Sequence, residues 1–347
     1  MAKAVKLADI ADRLGVSVVT VSKALSGQKG VGEELREKII ALADELGYRL
    51  PSAVEKINVN KGQSIGILIH EKHFSKYNSF YLQMYQMLSV ELSTAGYFNL
   101  LELVRYDFEK EFILPNLVNE GNVSAVVLLG EFSKEYCEFL RSKLSVPIQY
   151  LDFNDDSEEI NSIVSDSFYG GYYLTNYLFD KGHTDIGFVG SVLKTSSITD
   201  RYLGYLKSMM EHGKAVNDKW IIEDRDEETG IIFTPEVLSL PDKLPTAFVC
   251  NCDLTAGVLI KKLEKDGYRV PEDFSVVGYD NFIFPGTCDV EITTYEVDMP
   301  VMVKKTVEIL NKLMRNEEVS SKTHIVTGHL VEKSSVRALK KEAKNGR

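Results

Sequence analysis

Two adjacent valines and a lysine stand close together near the start of the chain, at Val18, Val19 and Lys23. A valine methyl can pack on the methyl group of thymine, and a lysine ammonium can donate to guanine O6 and N7 or to a phosphate. Nearby hydroxyls at Ser17 and Thr20 could donate to phosphate oxygens. Apolar side chains exposed beside a basic one would be costly unless a partner covers them. These residue types indicate contact with the edges of DNA bases.

The surrounding pattern predicts three short helices at about 7–14, 17–25 and 33–46, the last ended by Gly47. In the second, core spacing falls on Val21, Ala24 and Leu25, and Ser17 is placed to cap it. Val18, Val19, Ser22 and Lys23 then share the opposite side, as in the second helix of a helix-turn-helix. The structural alternative is that both valines pack inside a small helical bundle. The predicted contact set is Ser17, Val18, Val19, Thr20, Ser22, Lys23, Ser26 and Lys29.

Composition and charge limit the other classes of function. The 347 residues are 44% apolar and carry a net charge of -11, but the first 60 hold nine basic against eight acidic residues. The excess of acidic residues therefore lies beyond the head. This excludes the class of nucleic-acid-binding proteins that are basic along their whole length. No apolar run approaches the roughly 20 residues that span a bilayer, and no secretory signal is recognisable, so we expect a cytoplasmic protein.

The four cysteines are too few and scattered for a disulfide framework. Cys250 and Cys252 would share one face of a strand, which makes a metal site conceivable, but no further soft ligand has motif spacing. We therefore expect no metal and no cofactor. The α/β pattern could also serve an enzyme, but the chain has neither a G-x-S-x-G elbow nor a phosphate-binding G-x-x-x-x-G-K-[ST] loop. The sequence thus favours binding over catalysis.

From Ile65 onward, apolar strands alternate with amphipathic helices in two successive series, one starting at SIGILIH and one at IVSD. Such alternation predicts two doubly wound α/β subdomains with parallel sheets and a ligand cleft between them. Together with the three helices before it, the predicted fold is an all-α head followed by this α/β core. A strand (ITTYE), a helix (VMVKKTVEILNKLM) and another strand (HIVTGHLV) then cross back to complete both subdomains. The predicted boundaries are 1–48 for the head, 49–62 for the hinge, 63–164 with 292–320 for the first subdomain, 165–291 with 321–337 for the second, and 338–347 for a tail.

The stretch VKLADIADRLGVSVVTVSKALSGQKGVGEELREKIIALADELGY resembles the head of the lactose-repressor and galactose-repressor family. The resemblance continues through Gly182-His183 with DIGFVG, then DRYLGY, CDLTAG and VPEDFSVVGYDN. It implies a DNA-binding head, a hinge and a core similar to periplasmic sugar-binding proteins. Many members have arginine where this chain has Lys23, and lysine lacks the planar fork for bidentate contacts. In the hinge, Asn58 stands where the family inserts a leucine into the minor groove, so Ile57 is the remaining candidate wedge.

The resemblance also implies a set of effector-binding positions in the core. Aromatic faces would stack on a sugar ring, while carboxylates and a guanidinium grip its hydroxyls. The alternative is that Asp166 and Asp280 cap helices and that Arg201 makes a structural ion pair. The family often has asparagine where Cys252 stands, which suggests an altered effector. The predicted effector residues are Phe80, Tyr81, Asp166, Arg201, Cys252 and Asp280.

We therefore predict a transcriptional regulator, more specifically a repressor, that binds an inverted-repeat operator as a dimer. A small-molecule effector, a sugar or sugar derivative, is expected to control it. The short stretch after Val336 has no room for a heptad zipper, which favours a dimer over a tail-linked tetramer. Whether the ligand is inducer or corepressor stays open. An activating or corepressor-dependent regulator, answering to a non-sugar ligand or to a protein partner such as a phosphorylated carrier protein, is the alternative. A solute-binding protein is a remote one.

Overall fold

A computed structural model describes residues 7–25, 30–46, 63–74, 79–155, 157, 159–282, 287–320 and 322–339. The chain divides into two compact units, a head within the first 62 residues and a core that starts at Gln63. Within the described residues, no helix is long and apolar enough to cross a membrane.

The head is a three-helix bundle of α1 (Leu7–Leu14), α2 (Val18–Leu25) and α3 (Glu33–Glu45). Each helix contributes apolar side chains at helical spacing to one small core, centred on Ile10, Val21 and Ile39. All three helices were predicted, to within one residue at each end. The turn between α1 and α2 contains Gly15 at φ 64°, in the left-handed region that glycine adopts without strain.

The core contains twelve described strands in two sheets of six. Apolar, β-branched residues dominate the central strands; all five residues of Ala125–Leu129 are buried, for example, as expected when helices cover both faces of a sheet. The strands are β1 (Ser64–His70), β2 (Phe98–Val104), β3 (Ala125–Leu129), β4 (Ile148–Leu151), β5 (Asn161–Ser165), β6 (Ile186–Val189), β7 (Ile221–Ile222), β8 (Ala247–Cys250), β9 (Ser275–Asp280), β10 (Thr293–Glu296), β11 (Thr323–Val326) and β12 (His329–Val331).

The first sheet has the order β11-β5-β4-β3-β1-β2 and the second the order β12-β10-β9-β8-β6-β7. All pairings are parallel except that of β10 with β12. The helices of the core are α4 (Phe80–Thr94), α5 (Tyr106–Glu111), α6 (Asn116–Asn119), α7 (Lys134–Lys143), α8 (Ser167–Asp180), α9 (Ser196–Glu211), α10 (Asp253–Lys265) and α11 (Met299–Met314). The predicted α/β class with two doubly wound subdomains is confirmed.

The segments at the end of the chain are distributed differently from the prediction. β10 was assigned to the first subdomain but pairs with β9 in the second sheet. The predicted single strand HIVTGHLV is two strands, because β11 pairs with β5 in the first sheet and β12 with β10 in the second. Since α11 packs on β4 and β5, the chain passes between the subdomains three times. The strand at IVSD, with which the second predicted series starts, is β5 and belongs to the first sheet.

Glycines allow α8 and α9 to pack unusually close together. A Cβ added at Gly204 would overlap the carbonyl oxygen of Phe168, and one at Gly171 would overlap the backbone of Arg201. The backbones of the two helices are therefore in direct contact. This contact fixes the position of Arg201, a predicted effector residue, relative to α8.

His183 and Trp220 make buried structural contacts. His183 is fully buried, with Nδ1 3.0 Å from the Thr246 hydroxyl and Nε2 3.1 Å from the carbonyl oxygen of Arg337. Trp220 is buried and its indole N–H donates to the carbonyl oxygen of Lys243 at 2.8 Å. Both side chains join segments of the second subdomain that are far apart in sequence.

Candidate functional site

The described part of α2 exposes the residues predicted to face DNA. Val18 is 44% and Val19 63% exposed, whereas Val21 and Ala24 on the opposite side are buried in the head core. The Ser17 hydroxyl caps the helix by accepting from Thr20 N at 3.1 Å, and the two hydroxyls are 2.8 Å apart. The first turn of α2 thus presents two valines and two hydroxyls together, a surface that suits thymine methyls flanked by phosphates.

The remaining residues predicted to contact DNA differ in exposure, and some lie outside the described residues. Lys23 is exposed and Ser22 is half-buried. Ser26, Lys29 and Ile57 lie outside the described residues. The alternative of valines buried within the bundle does not fit α2, because the bundle is closed by Val21 and Ala24 instead.

The second candidate site is the cleft at the carboxyl ends of the parallel strands, where the two subdomains face each other. The contacts between the subdomains, within the described residues, include the following three. The Tyr106 hydroxyl donates to the carbonyl oxygen of Thr229 at 3.0 Å, and the rings of Phe80 and Phe282 lie 6.2 Å apart. The third contact joins Glu131 and Ser196. Ligands of doubly wound proteins bind at this edge of the sheet.

Arg201 is the central side chain of the cleft. It is only 7% exposed, and its guanidinium lies over the ring of Tyr279 at 3.6 Å. One nitrogen donates to the carbonyl oxygen of Asn251 at 2.6 Å, and another lies 3.6 Å from Asp280 Oδ1. Its Nε is buried and has no hydrogen-bond partner among the described residues. Arg201 therefore has both the structural ion pair of the alternative interpretation and a donor left for a ligand.

A buried network beneath Arg201 holds its acceptor in place. The Asn251 amide donates to Asp224 at 2.7 Å and to the carbonyl oxygen of Val189 at 3.0 Å. Asp224 also receives both arms of the Arg225 guanidinium, at 2.9 and 2.8 Å. Burial alone would raise the pKa of Asp224, but these bonds lower it to about 2. Asp224 is therefore a fixed anion at neutral pH, and the site is preorganised.

Two carboxyl groups, Asp152 and Asp280, stand at strand ends in the cleft. Both have left-handed backbones, with φ 67° and 102°, a conformation that non-glycine residues adopt rarely and often at functional sites. Burial raises the pKa of Asp280 to about 7 and that of Asp152 to about 6, against the opposing effect of Arg201. Both carboxyl groups therefore titrate close to neutral pH, and each can accept a hydrogen bond from a ligand hydroxyl.

Aromatic rings line the first subdomain's side of the cleft. Burial raises the pKa of the Tyr81 hydroxyl well above the ordinary value, and the nearby carboxyl group of Asp152 adds to the rise. The Tyr81 ring lies 4.3 Å from that of His73 and 5.3 Å from that of Phe80. The predicted pair Phe80 and Tyr81 thus lies beside the carboxyl groups, at the start of α4.

The structure places Asp166 and Cys252 at helix N-termini. Asp166 accepts from Tyr169 N at 3.2 Å, which is the helix cap of the alternative interpretation, and it also lines a cavity of about 120 Å³ together with Asp152 and Ser196. Cys252 precedes α10, and its Sγ accepts from Thr255 N at 3.5 Å. Burial raises the pKa of the Cys252 thiol to about 11, so it is a neutral side chain. Within the described residues, no group of His, Cys, Asp or Glu could hold a metal ion.

Asp152 and Glu131 were not predicted from the sequence. Each directly follows the carboxyl end of a buried strand or one glycine beyond it, β4 for Asp152 and β3 for Glu131. An acid at that point of a parallel sheet is the signal that could have identified them. Their neighbours LDFNDD and LGEFS contain other polar residues, so the spacing alone did not single them out.

Taken together, a head with an exposed reading helix and a two-sheet core with a polar cleft define a ligand-responsive DNA-binding regulator. Residues 6–51 match the description of bacterial regulatory proteins of the lacI family. Residues 175–336 match the periplasmic binding protein-like domain.

Whole proteins give the same assignment. The chain is 30% identical over 275 residues to the HTH-type transcriptional repressor PurR of Pasteurella multocida, which covers 79% of this chain and 81% of that protein. It is 27% identical to PurR of Vibrio campbellii over 332 residues, or 95% of this chain and 98% of that one. The chain belongs to the lacI family of bacterial regulatory proteins. It is a DNA-binding transcriptional repressor by class and not an enzyme.

Solved structures share the fold. The transcriptional regulator CelR in complex with cellobiose matches with a TM-score of 0.67 at 21% identity, over 95% of this chain and 99% of that one. The lac repressor dimer bound to operator matches with a TM-score of 0.65 at 21% identity, over 97% and 100% of the two chains. Both therefore have a head joined to a core of the same architecture.

Proposed function

We propose that this repressor binds an inverted-repeat operator as a homodimer in the cytoplasm and that a carbohydrate or carbohydrate derivative in the cleft controls it. One observation carries the effector proposal: Arg201 converges with Asp152 and Asp280 beside the aromatic rings of Tyr81 and Phe80. Rings can stack on the apolar face of a sugar, and the charged and neutral polar groups match its hydroxyls.

The DNA half of the proposal rests on the exposed first turn of α2. A two-fold dimer presents two such helices to two half-sites related by the same symmetry, which favours an inverted repeat. We propose Val18 and Val19 for thymine methyl contacts, with Lys23 on a guanine or a phosphate and the Ser17 and Thr20 hydroxyls on phosphates. These contacts would fix both register and base preference.

Control follows from differential binding to open and closed states of the cleft. A ligand shifts an equilibrium only as far as its affinities for the two states differ. A cleft that closes on the effector changes the spacing of the two subdomains, and through the hinge the presentation of the head. Whether closure releases DNA or promotes binding depends on which state fits the operator, so induction and corepression both use this site.

The test is a selection of DNA from a random pool by the purified full-length protein at stated salt. Operator affinity is then titrated with sugars, sugar phosphates and purine bases, since planar bases also stack on aromatic rings. An enriched palindrome whose affinity changes with a sugar supports the whole proposal. A response to a purine alone replaces the sugar with a non-sugar effector, and a palindrome bound only with an added protein indicates a corepressor partner. If no sequence is enriched under any condition, the DNA assignment is wrong.

A solute-binding protein is the remaining alternative, since the core alone would serve it. The matched lacI-family head at residues 6–51 argues against that role.

A further inference from the structure

Glu131 reaches across the cleft to the other subdomain. It follows β3 in the first subdomain, and its carboxyl oxygens accept from the main-chain N of Ser196 at 3.1 and 3.3 Å. One oxygen also lies 3.5 Å from the Ser196 hydroxyl. Ser196 is the first residue of α9, in the second subdomain. A carboxyl group of one subdomain thus caps a helix of the other.

The N-terminus of α9 has main-chain N–H groups that need acceptors from outside the helix, and Glu131 supplies one of these acceptors. The first N–H groups of a helix have no partner within the helix. The Thr195 hydroxyl satisfies one of them by accepting from Ile198 N at 3.1 Å. The Ser196 N–H has Glu131 as its acceptor, and opening of the cleft would remove that partner. The positive end of the helix dipole adds to the attraction for a carboxyl group.

The main chain around Glu131 is packed against residues of the effector site. Gly130 has φ 78°, and a Cβ there would lie 2.9 Å from the Tyr81 ring and 3.0 Å from the His73 ring. The His73 Nε2–H donates to the carbonyl oxygen of Glu131 at 3.3 Å. A ligand that displaces either ring would therefore displace Glu131 as well. At the other end of the contact, α9 carries Arg201 one to two turns further along.

We propose that Glu131 is a clasp that holds the cleft closed and couples the effector site to the relative position of the two subdomains. Glu131 is a positioning residue in this role, because it acts through α9 and not by contact with DNA. Only the regulatory role of the clasp rests on the proposed function. The contact itself can be measured without effector or DNA.

Protonation should modulate the clasp. The groups near the Glu131 carboxyl are Lys72, Tyr81 and Asp152 from the first subdomain and the α9 N-terminus from the second, while His73 contacts the main-chain carbonyl of Glu131. Burial raises the pKa of Glu131 to about 7, with Asp152 adding to it and Ser196 and Lys72 opposing it. The closed cleft thus holds the proton more tightly than an open, solvated one would. Closure is favoured at low pH and weakens as the pH rises towards about 7.

Hydrogen exchange of the full-length protein tests the clasp directly. In Glu131→Ala, peptides that contain Ser196 should exchange about tenfold faster than in the wild type. Peptides across Thr229 should also exchange faster, because the Tyr106 to Thr229 contact closes the same cleft. The matched control is Glu138→Ala, an exposed acid on α7 in the same subdomain, which should change neither. Peptides from β3 report whether the fold itself is intact.

Faster exchange confined to Ser196 would reduce Glu131 to a local cap and overturn the clasp, as would no change at either segment. Glu131→Gln keeps the acceptor and cannot ionise, so after correction for intrinsic rates its protection should vary less between pH 6 and pH 8 than that of the wild type. An equal pH dependence in both proteins would refute the role of protonation. These outcomes are independent of operator selection, so a failed clasp and a failed effector assignment can be told apart.

Discussion

Val19 is the most exposed apolar side chain of the reading helix, at 63%. Replacing it with alanine removes two methyl groups without touching the head core. We expect Val19→Ala to relax discrimination at one operator position by roughly 1 kcal/mol, within the usual range for a single base-pair mismatch, and to leave the salt dependence of binding unchanged. Competition binding against single-base operator variants measures both.

Ile40→Ala is the matched control for Val19, because Ile40 is also an exposed apolar residue of the head but lies on α3. It should leave base preference unchanged. An unaltered preference in Val19→Ala would remove Val19 from the base-reading surface.

Arg201 donates to the Asn251 carbonyl and keeps Nε available to a ligand. Arg201→Met retains much of the volume but none of the donors. We expect effector affinity to fall by roughly 10- to 100-fold, since a hydrogen bond to a charged group contributes about 1.5–3 kcal/mol. Operator binding without effector should persist. Titration of the operator complex with effector measures the loss.

Arg269→Ala, at an exposed ion pair with Asp273, is the control for removal of an arginine. If Arg201→Met answered the effector with normal affinity, Arg201 would be purely structural. A melting temperature taken on the same samples separates lost binding from lost folding.

Asp253 is a buried acid that positions the loop bearing Asp280. Its Oδ2 accepts from Phe282 N at 2.9 Å, while Oδ1 has no hydrogen-bond partner among the described residues. Burial raises the pKa of Asp253 well above the ordinary value, which favours the protonated form. Asp253→Asn should therefore cost under about 1 kcal/mol, whereas Asp253→Ala should cost about 2 kcal/mol by leaving Phe282 N unpaired. Urea unfolding compares the two variants, and equal losses would contradict the role of Asp253 as the acceptor for Phe282 N.

At the scale of elements, the contact between α8 and α9 controls where Arg201 lies. Gly204→Ala would force a methyl group into the Phe168 carbonyl, and Gly171→Ala into the backbone of Arg201. Each should lower the free energy of unfolding by about 1–3 kcal/mol through overpacking. Gly171→Ala should in addition weaken the effector response, because α9 must move. Denaturant titration and effector titration of the same variants test these effects.

Met210→Ala on the exposed face of α9 is the control, since that side chain is 76% exposed and should change stability little. A neutral Gly204→Ala would show that the two helices can separate without cost.

Most elements could be predicted because their apolar periodicity is strong: the three head helices and strands such as SIGILIH and AVVLL follow from pattern alone. β7 could not, because two residues carry no period. The split of HIVTGHLV into β11 and β12 was missed for a different reason. Both halves read as one extended run, and only pairing with β5 and β10 decides which sheet each joins.

The candidate site was predictable where a family motif or helical face fixed the residue, as for Val18, Val19 and Arg201. The site could not be predicted from the sequence where the decisive feature is a distance between residues on opposite sides of the cleft. Asp152 and Glu131 meet Arg201 and Ser196 only after two subdomains separated in sequence have come together. No local pattern carries that information.

At the scale of the whole molecule, buried carboxyl groups make stability depend on pH. The pKa is raised to about 7 for Glu131 and Asp280 and to about 6 for Asp152, so the folded state binds these protons more tightly than the unfolded chain. Their contribution is full below the ordinary carboxyl range and is lost as the pH rises to about 7. Glu109 and Asp224, whose pKa is lowered to about 2, act in the opposite sense and lose their contribution only below about pH 4.

The free energy of unfolding should therefore fall by roughly 3–5 kcal/mol between pH 5.5 and pH 8. Urea titrations at the two pH values measure it. The double variant Glu131→Gln, Asp280→Asn should flatten the difference because neither side chain titrates. A wild-type protein more stable at pH 8 than at pH 5.5 would show that other groups dominate.

The threefold passage of the chain between subdomains also has a consequence for synthesis. α11, whose buried face includes Met302, Val303 and Leu310, packs on β4 and β5 but follows β5 by roughly 130 residues. At about 5–20 residues per second, the ribosome needs on the order of ten seconds to add that stretch. For that time one face of the nascent first sheet lacks its covering helix, so its apolar side chains stay open to non-native contacts until α11 has been made.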